Sequence, residues 1–225
     1  LARRVALQRA RTRSRQTAGG TRGGTLPGGA TRVRSASGTE RPRAAMSSPA
    51  RVPFVIQQSA VRGELQKVVK WLRKGGLVDA SCSATTHDGR TCSFSLLNVA
   101  AACGHLEMVR ELLKRGASVD LQNRIGQTAL VIAAMQLSLE TGNGSLSIFH
   151  VLLQHSANLD LQDTDGNTAL MLAALGEHEA CVKALLRAKA NTELLDKDKR
   201  TALQLAKAMG HTAIAHLIEQ HAVPP

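Results

Sequence analysis

Three stretches of the chain are copies of one another. NRIGQTALVIAA begins at Asn123, DTDGNTALMLAA at Asp163 and DKDKRTALQLAK at Asp196, at offsets of 40 and 33 residues. A second motif alternates with the first. It places Leu112-Leu113 before Gly116-Ala117-Ser118-Val119-Asp120, Leu152-Leu153 before Ser156-Ala157-Asn158-Leu159-Asp160, and Leu185-Leu186 before Ala190-Asn191. Between the two lies Gly-His or a relative of it: Gly104-His105, Gly144-Ser145, Glu177-His178 and Gly210-His211. A further copy, GELQKVVKWLRKGGLVDA from Gly63, aligns with GHLEMVRELLKRGASVDL from Gly104 at an offset of 41. A period of 33 with insertions of seven and eight residues outranks any local motif, because one such unit cannot bury its apolar face alone. The units must stack into an array.

The letters of the repeat have separate physical roles. Thr128, Thr168 and Thr201 each precede an apolar, Ala-rich run, where a hydroxyl caps the first helix of the unit. The pairs Ala133-Ala134 and Ala173-Ala174 let that helix approach its neighbours closely, while Leu130, Leu170 and Leu203 supply larger core contacts. The second helix carries apolar residues at helical spacing: Met108, Val109, Leu112 and Leu113; Ile148, Phe149, Leu152 and Leu153; Val182, Leu185 and Leu186. Gly116 then ends the helix where a positive φ is expected. Gln57, Gln58, Arg62, Gln66 and Lys70 at the start predict a polar outer face for the first unit. Lys207, His211, His216, Glu219, Gln220 and His221 predict the same for the last, as terminal repeats require. Val223-Pro224-Pro225 stops the final helix.

This pattern resembles the ankyrin repeat family, whose units read D-x-x-G-x-T-P-L-H-x-A-A, then G-H, then a Leu-Leu helix, then G-A-D-V-N. The resemblance spans residues 54–223 and is specific because it repeats in register. Departures are Ala129, Ala169 and Ala202 in place of Pro, Lys199 in place of the turn Gly, and a first copy that degenerates before Gly63. The resemblance implies an all-α solenoid of five helix-turn-helix units with short β-hairpin fingers. The units are 54–81, 82–122, 123–162, 163–195 and 196–223. It implies further that the array binds an unidentified protein partner along a concave face of finger tips and inner helices, and performs no chemistry of its own. Carried over position by position, the partner-binding residues are Arg124, Ile125, Gln127, Thr164, Asp165, Asn167, Lys197, Asp198 and Arg200, with Ala102, Cys103, Leu175, Ala208 and Met209 at the inner-helix ends. His87, Asp88 and Arg90 join them from a longer first finger.

Charge separates the array from what precedes it. The chain has a net charge of +12, but residues 1–45 hold eleven Arg and one acid, Glu40. Residues 1–53 are also rich in Gly, Thr, Ser and Pro, and bury too little to offset their ordering entropy, which predicts a disordered tail. Three readings of the tail compete, in this order. It is an over-extended translation with Met46 the true start, an organelle transit peptide, or a basic arm for nucleic acid or nuclear address. The array itself is nearly neutral and carries only 2% aromatic residues in the whole chain, so nucleic acid is a partner only through the tail. No run of 18 apolar residues and no secretory signal is visible, which points to a cytoplasmic protein, or a nuclear or organellar one if residues 1–45 are genuine. A monomer is expected. A catalytic domain outside this chain is the remaining alternative.

Two sharper motifs fail on spacing. DTDG has the look of a calcium loop, but with Gly166 at its sixth position the first falls on Leu161 and the twelfth, which must be a bidentate Glu, on Leu172. His211, His216 and His221 recur every five residues and so turn about 140° per step off any common helix face. Cys82, Cys92, Cys103 and Cys181 fit no zinc spacing and read as reduced, mostly buried thiols. No nucleophile elbow, phosphate loop or metalloprotease motif is present, so neither an enzyme nor a cofactor is expected. SCSATTHDGRTCSFS, from Ser81 to Ser95, lengthens the first finger and is either a tolerated loop or a specificity loop. The insertion MQLSLETGN, Met135–Asn143, is expected between the helices of the third unit, at the end away from the fingers.

Overall fold

A computed structural model describes residues 51–85, 91–136 and 144–222. Among them ten helices form five antiparallel pairs, one pair per repeat. In the first unit these are α1 (Phe54–Arg62) and α2 (Leu65–Arg73). The second holds α3 (Leu96–Cys103) and α4 (Leu106–Lys114), and the third α5 (Ala129–Gln136) and α6 (Gly144–Gln154). In the fourth they are α7 (Ala169–Leu175) and α8 (Glu179–Arg187), and in the fifth α9 (Ala202–Met209) and α10 (Thr212–Ala222).

The first helix of each pair is short because the sequence both starts and stops it. Ser95, Thr128, Thr168 and Thr201 accept hydrogen bonds from the backbone N–H groups of Asn98, Val131, Met171 and Gln204 at 3.1–3.3 Å. Thr201 forms a full capping box with Gln204, as the Gln204 side chain accepts in turn from the Thr201 N–H at 3.0 Å. The stop is a left-handed residue: Gly63, Gly104 and Gly210 take φ of 76°, 76° and 78°. The internal ones of these helices are apolar nearly all round, and Leu96–Ala102 and Ala129–Ala134 are buried. The burial follows from the stacking order: α3, α5 and α7 each lie between two other inner helices, in the series α1–α3–α5–α7–α9.

The outer helices have one neighbour face and are correspondingly amphipathic. Met108, Val109, Leu112 and Leu113 are buried on α4, Ile148, Phe149 and Leu152 on α6, and Cys181, Val182, Leu185 and Leu186 on α8. Ile214 and Ile218 continue the row on α10. Every substantial helix–helix contact lies within a unit or between adjacent units, which is the quasi-one-dimensional organisation of a repeat protein.

Several expectations need correction. Among the described residues only the first finger is a β-hairpin: β1 (Ser81–Thr85) pairs antiparallel with β2 (Thr91–Ser95) in the register Ser81↔Ser95, Cys82↔Phe94 and Thr85↔Thr91. The later fingers are closed by turns without strand pairing. Gly144, aligned in sequence with Gly104, is instead the first residue of α6, which begins two residues earlier relative to its leucines than α4 does. The array reaches back into the expected tail: Val52 is buried and donates from its N–H to the Ser81 carbonyl at 3.0 Å. The remainder of that tail, residues 1–50, lies outside the described residues, as do 137–143 of the second insertion and 223–225. Finally, the outer face of the first unit is not polar throughout. Phe54, Val55 and Val61 on α1 are 69%, 67% and 47% exposed. The last unit does match its expectation, with Lys207 and Glu219 paired at 2.6 Å and His216 beside Gln220 at 3.0 Å.

Candidate protein-binding face

The fingers are built around one carboxylate or amide. In each copy the first residue of the motif folds its side chain over the turn that follows. Asn123 Oδ1 accepts from the N–H groups of Ile125 and Gln127 at 3.0 and 2.9 Å. Asp163 Oδ1 accepts from Asp165 and Asn167 at 2.9 and 2.8 Å, and Asp196 Oδ1 from Arg200 at 2.8 Å. The backbone closes the same turns, with Gly126, Gly166 and Lys199 donating to the carbonyls of Asn123, Asp163 and Asp196 at 2.9–3.0 Å. The acid that suggested a metal loop is thus engaged by its own backbone. No group of three His, Cys, Asp or Glu side chains among the described residues is placed to hold a metal ion.

Neighbouring fingers are joined in register. The Thr164 N–H donates to the Ile125 carbonyl and the Lys197 N–H to the Asp165 carbonyl, each at 3.0 Å. Glutamines add a second bridge. Gln122 Nε2 donates to the carbonyls of Gly126 and Gln162 at 2.8 and 3.1 Å, and Gln162 Nε2 to those of Gly166 and Leu195 at 2.7 and 2.8 Å. Aspartates add a third: Asp79, Asp120 and Asp160 accept from the N–H groups of Ser118, Asn158 and Asn191 in the next unit at 3.0, 2.8 and 2.9 Å. Sequence reasoning missed the glutamine and aspartate bridges as interactions, although both recur at the repeat offset. That recurrence was the available signal.

This framework sorts the expected contact residues. Arg124, Thr164, Asp165, Lys197 and Asp198 are exposed at the tips, and Ile125 is half-buried among them. Gln127 is buried, its Nε2 donating to Met135 Sδ at 3.4 Å and its Oε1 accepting from Asn123 Nδ2 at 3.4 Å, so it is not presented to a partner. Asn167 hydrogen-bonds Asp163 at 3.2 Å. Arg200 binds the buried Asp196 carboxylate through Nε at 2.9 Å and reaches Asp198 at 2.6 Å, so its guanidinium holds the finger together. At the inner-helix ends Ala208 and Met209 are exposed, Cys103 and Leu175 are half-buried, and Ala102 is buried. His87, Asp88 and Arg90 lie outside the described residues.

The histidines at the helix–helix turns are packing groups. The ring of His105 lies against Gly63 of the preceding unit, with Nε2 at 2.9 Å from the Val61 carbonyl. His178 covers Gly176, and burial holds its pKa below the usual imidazole value, with Glu177 opposing that shift and His211 adding to it. Burial likewise pushes the thiols of Cys82 and Cys181 up to about 12, which suppresses thiolate chemistry. No helix among the described residues is long and apolar enough to cross a membrane.

The comparisons with known proteins agree with this geometry. A family model of ankyrin repeats in three copies matches residues 135–224, and a second, of many copies, matches residues 77–133. Compared with curated proteins, the chain finds no match.

Proposed function

The chain belongs to the ankyrin repeat family, whose arrays are generally protein-interaction modules, and from that premise we propose that it binds a protein partner across its row of finger tips. The observation that carries the reading is the division of labour within each finger. Asn123, Asp163, Asp196, Gln122 and Gln162 form the turns and bridges, and on that framework the exposed Arg124, Thr164, Asp165, Lys197 and Asp198, the last paired with Arg200 at 2.6 Å, stand in one backbone-linked row. Such a row is a rigid scaffold carrying substitutable side chains. It alternates in charge, from Arg124 through Asp165 to Lys197 and Asp198, which suits a partner of mixed charge. The protein acts by holding that partner and performs no catalysis.

The test is affinity for a partner captured from the source cell. Alanine at Arg124, Asp165 and Lys197 together is expected to weaken binding by about tenfold or more with the melting temperature unchanged. Arg200 is left out of the set because its loss would strand the Asp196 carboxylate. Unchanged affinity in a folded triple variant sinks the reading.

A further inference from the structure

The two ends of the array are chemically unlike. At the last unit the devices that join units are switched off: Leu195 stands where Gln122 and Gln162 form bridges, and Glu193 accepts from its own neighbour Thr192 at 3.0 Å. The first unit is different. Phe54, Val55 and Val61 lie with Arg62 along one exposed stripe of α1, the side away from the buried Ser59 and Ala60. In α3, α5 and α7 the inner helix has another inner helix on either side, whereas among the described residues α1 has only α3.

Charge is just as uneven. Residues 51–81 hold six basic and two acidic side chains, while residues 82–225 hold 12 and 14. Both acids of the first unit are committed, Glu64 to Lys67 and Ser59, and Asp79 to Ser118 of the second unit. The apolar stripe therefore belongs to a unit of net charge +4, to which Lys70 and Arg73 contribute from the exposed side of α2.

We propose that this end of the array is a second docking site, separate from the finger tips, that takes an acidic amphipathic helix of a partner protein. Repeat symmetry argues for a helix at the Phe54–Val55 end of the stripe, since the residues in register with Val55, namely Leu96, Ala129, Ala169 and Ala202, are buried in every later inner helix, each of which has an inner helix before it. Charge argues for acidity. It also disfavours other occupants: a second copy meeting this face would bring +4 against +4, and residues 1–45 of the same chain carry eleven Arg and one acid.

The test uses the full chain and a fluorescent synthetic helix of about 18 residues, Leu on one face and Glu on the other, beside a scrambled peptide of the same composition. The Arg-rich segment will attract both peptides, so the preference for the helix over the scramble is the readout. A preference of about tenfold is expected. The double variant Phe54→Ser/Val61→Ser should abolish it with the melting curve retained, since both side chains are exposed. Should that variant unfold, peptide-induced hydrogen-exchange protection of residues 54–62 in the unaltered chain decides the matter, and its absence overturns the site. Equal binding of the scramble also overturns it, as does a preference that survives in the folded variant. Two further results replace the occupant and overturn the proposal: phosphatidylserine vesicles outcompeting the helix for this face, or a dimer in sedimentation that the variant dissolves.

Discussion

At the scale of single residues, position in the array decides which substitutions the repeat tolerates. Gly126 and Gly166 have φ of 72° and 80°, and a Cβ on either would come within 2.8–3.0 Å of the backbone of the following finger. Lys199 takes the same turn at φ 61°, and belongs to the last finger of the array. Two requirements, backbone freedom and close approach, thus coincide at the internal fingers and separate at the end. Gly166→Ala is expected to lower stability by roughly 2–4 kcal/mol, and Lys199→Gly to raise it by about 0.5–1 kcal/mol, in urea denaturation. His178 supplies a pH-dependent contribution. Burial keeps its folded pKa below the unfolded value of about 6.5, so the unfolded chain binds the proton first. That contribution is complete above pH ~6.5 and is lost as pH falls through the folded pKa. The depressed carboxylates Glu64 and Glu219 act in a lower window, below their ordinary value of 4.5. Thermal melts between pH 7.5 and 5 should therefore show a decline that His178→Gln flattens, measured against ~6.5 as the unfolded reference.

At the scale of elements, the helices were legible because their periodicity and caps agree. Thr128, Thr168 and Thr201 were identified as caps from the letters that follow them, and all three accept the expected bond. Ser95 was missed as a cap because it ends an insertion and begins no copy of the motif. The same insertion carries the finger that pairs as a hairpin, as expected of the fingers. Cys82 and Ala84 alternate with Ser81 and Ser83, Cys92 and Phe94 with Ser93 and Ser95, and Asp88-Gly89 lies between, which is a strand–turn–strand signal. The capping box at α9 makes the clearest element-level prediction. Thr201→Ala should cost about 1 kcal/mol in equilibrium unfolding, with Gln204→Ala costing less and adding little to it.

At the scale of the whole array, the repeat period identified the family and the order of units, because the apolar letters encode stacking. What it left unseen were the polar bridges between units and the apolar stripe on α1. The bridges use Asp and Gln, residues that read as surface until their partners in the next unit are known. The stripe lies where the first copy departs from the pattern, ahead of residue 77, where the family matches begin. A stack of this kind holds together through nearest-neighbour interfaces, so weakening one interface divides it. Asp160→Ala with Gln162→Ala removes the bonds to Asn191, Gly166 and Leu195 and should cost about 1–3 kcal/mol. Hydrogen exchange should then become faster in α7–α10 than in α3–α5.

The central claim is that partner recognition lies on the finger tips while the outer helices stand apart from it. Cross-linking mass spectrometry of the full chain with its captured partner tests this directly, because lysines report on both regions. Lys197 and Lys199 lie on the last finger, and Lys114 and Lys183 on α4 and α8. Inter-protein cross-links are expected from Lys197 and Lys199, with Lys114 and Lys183 unlinked to the partner. Cross-links confined to Lys114 and Lys183 would contradict it.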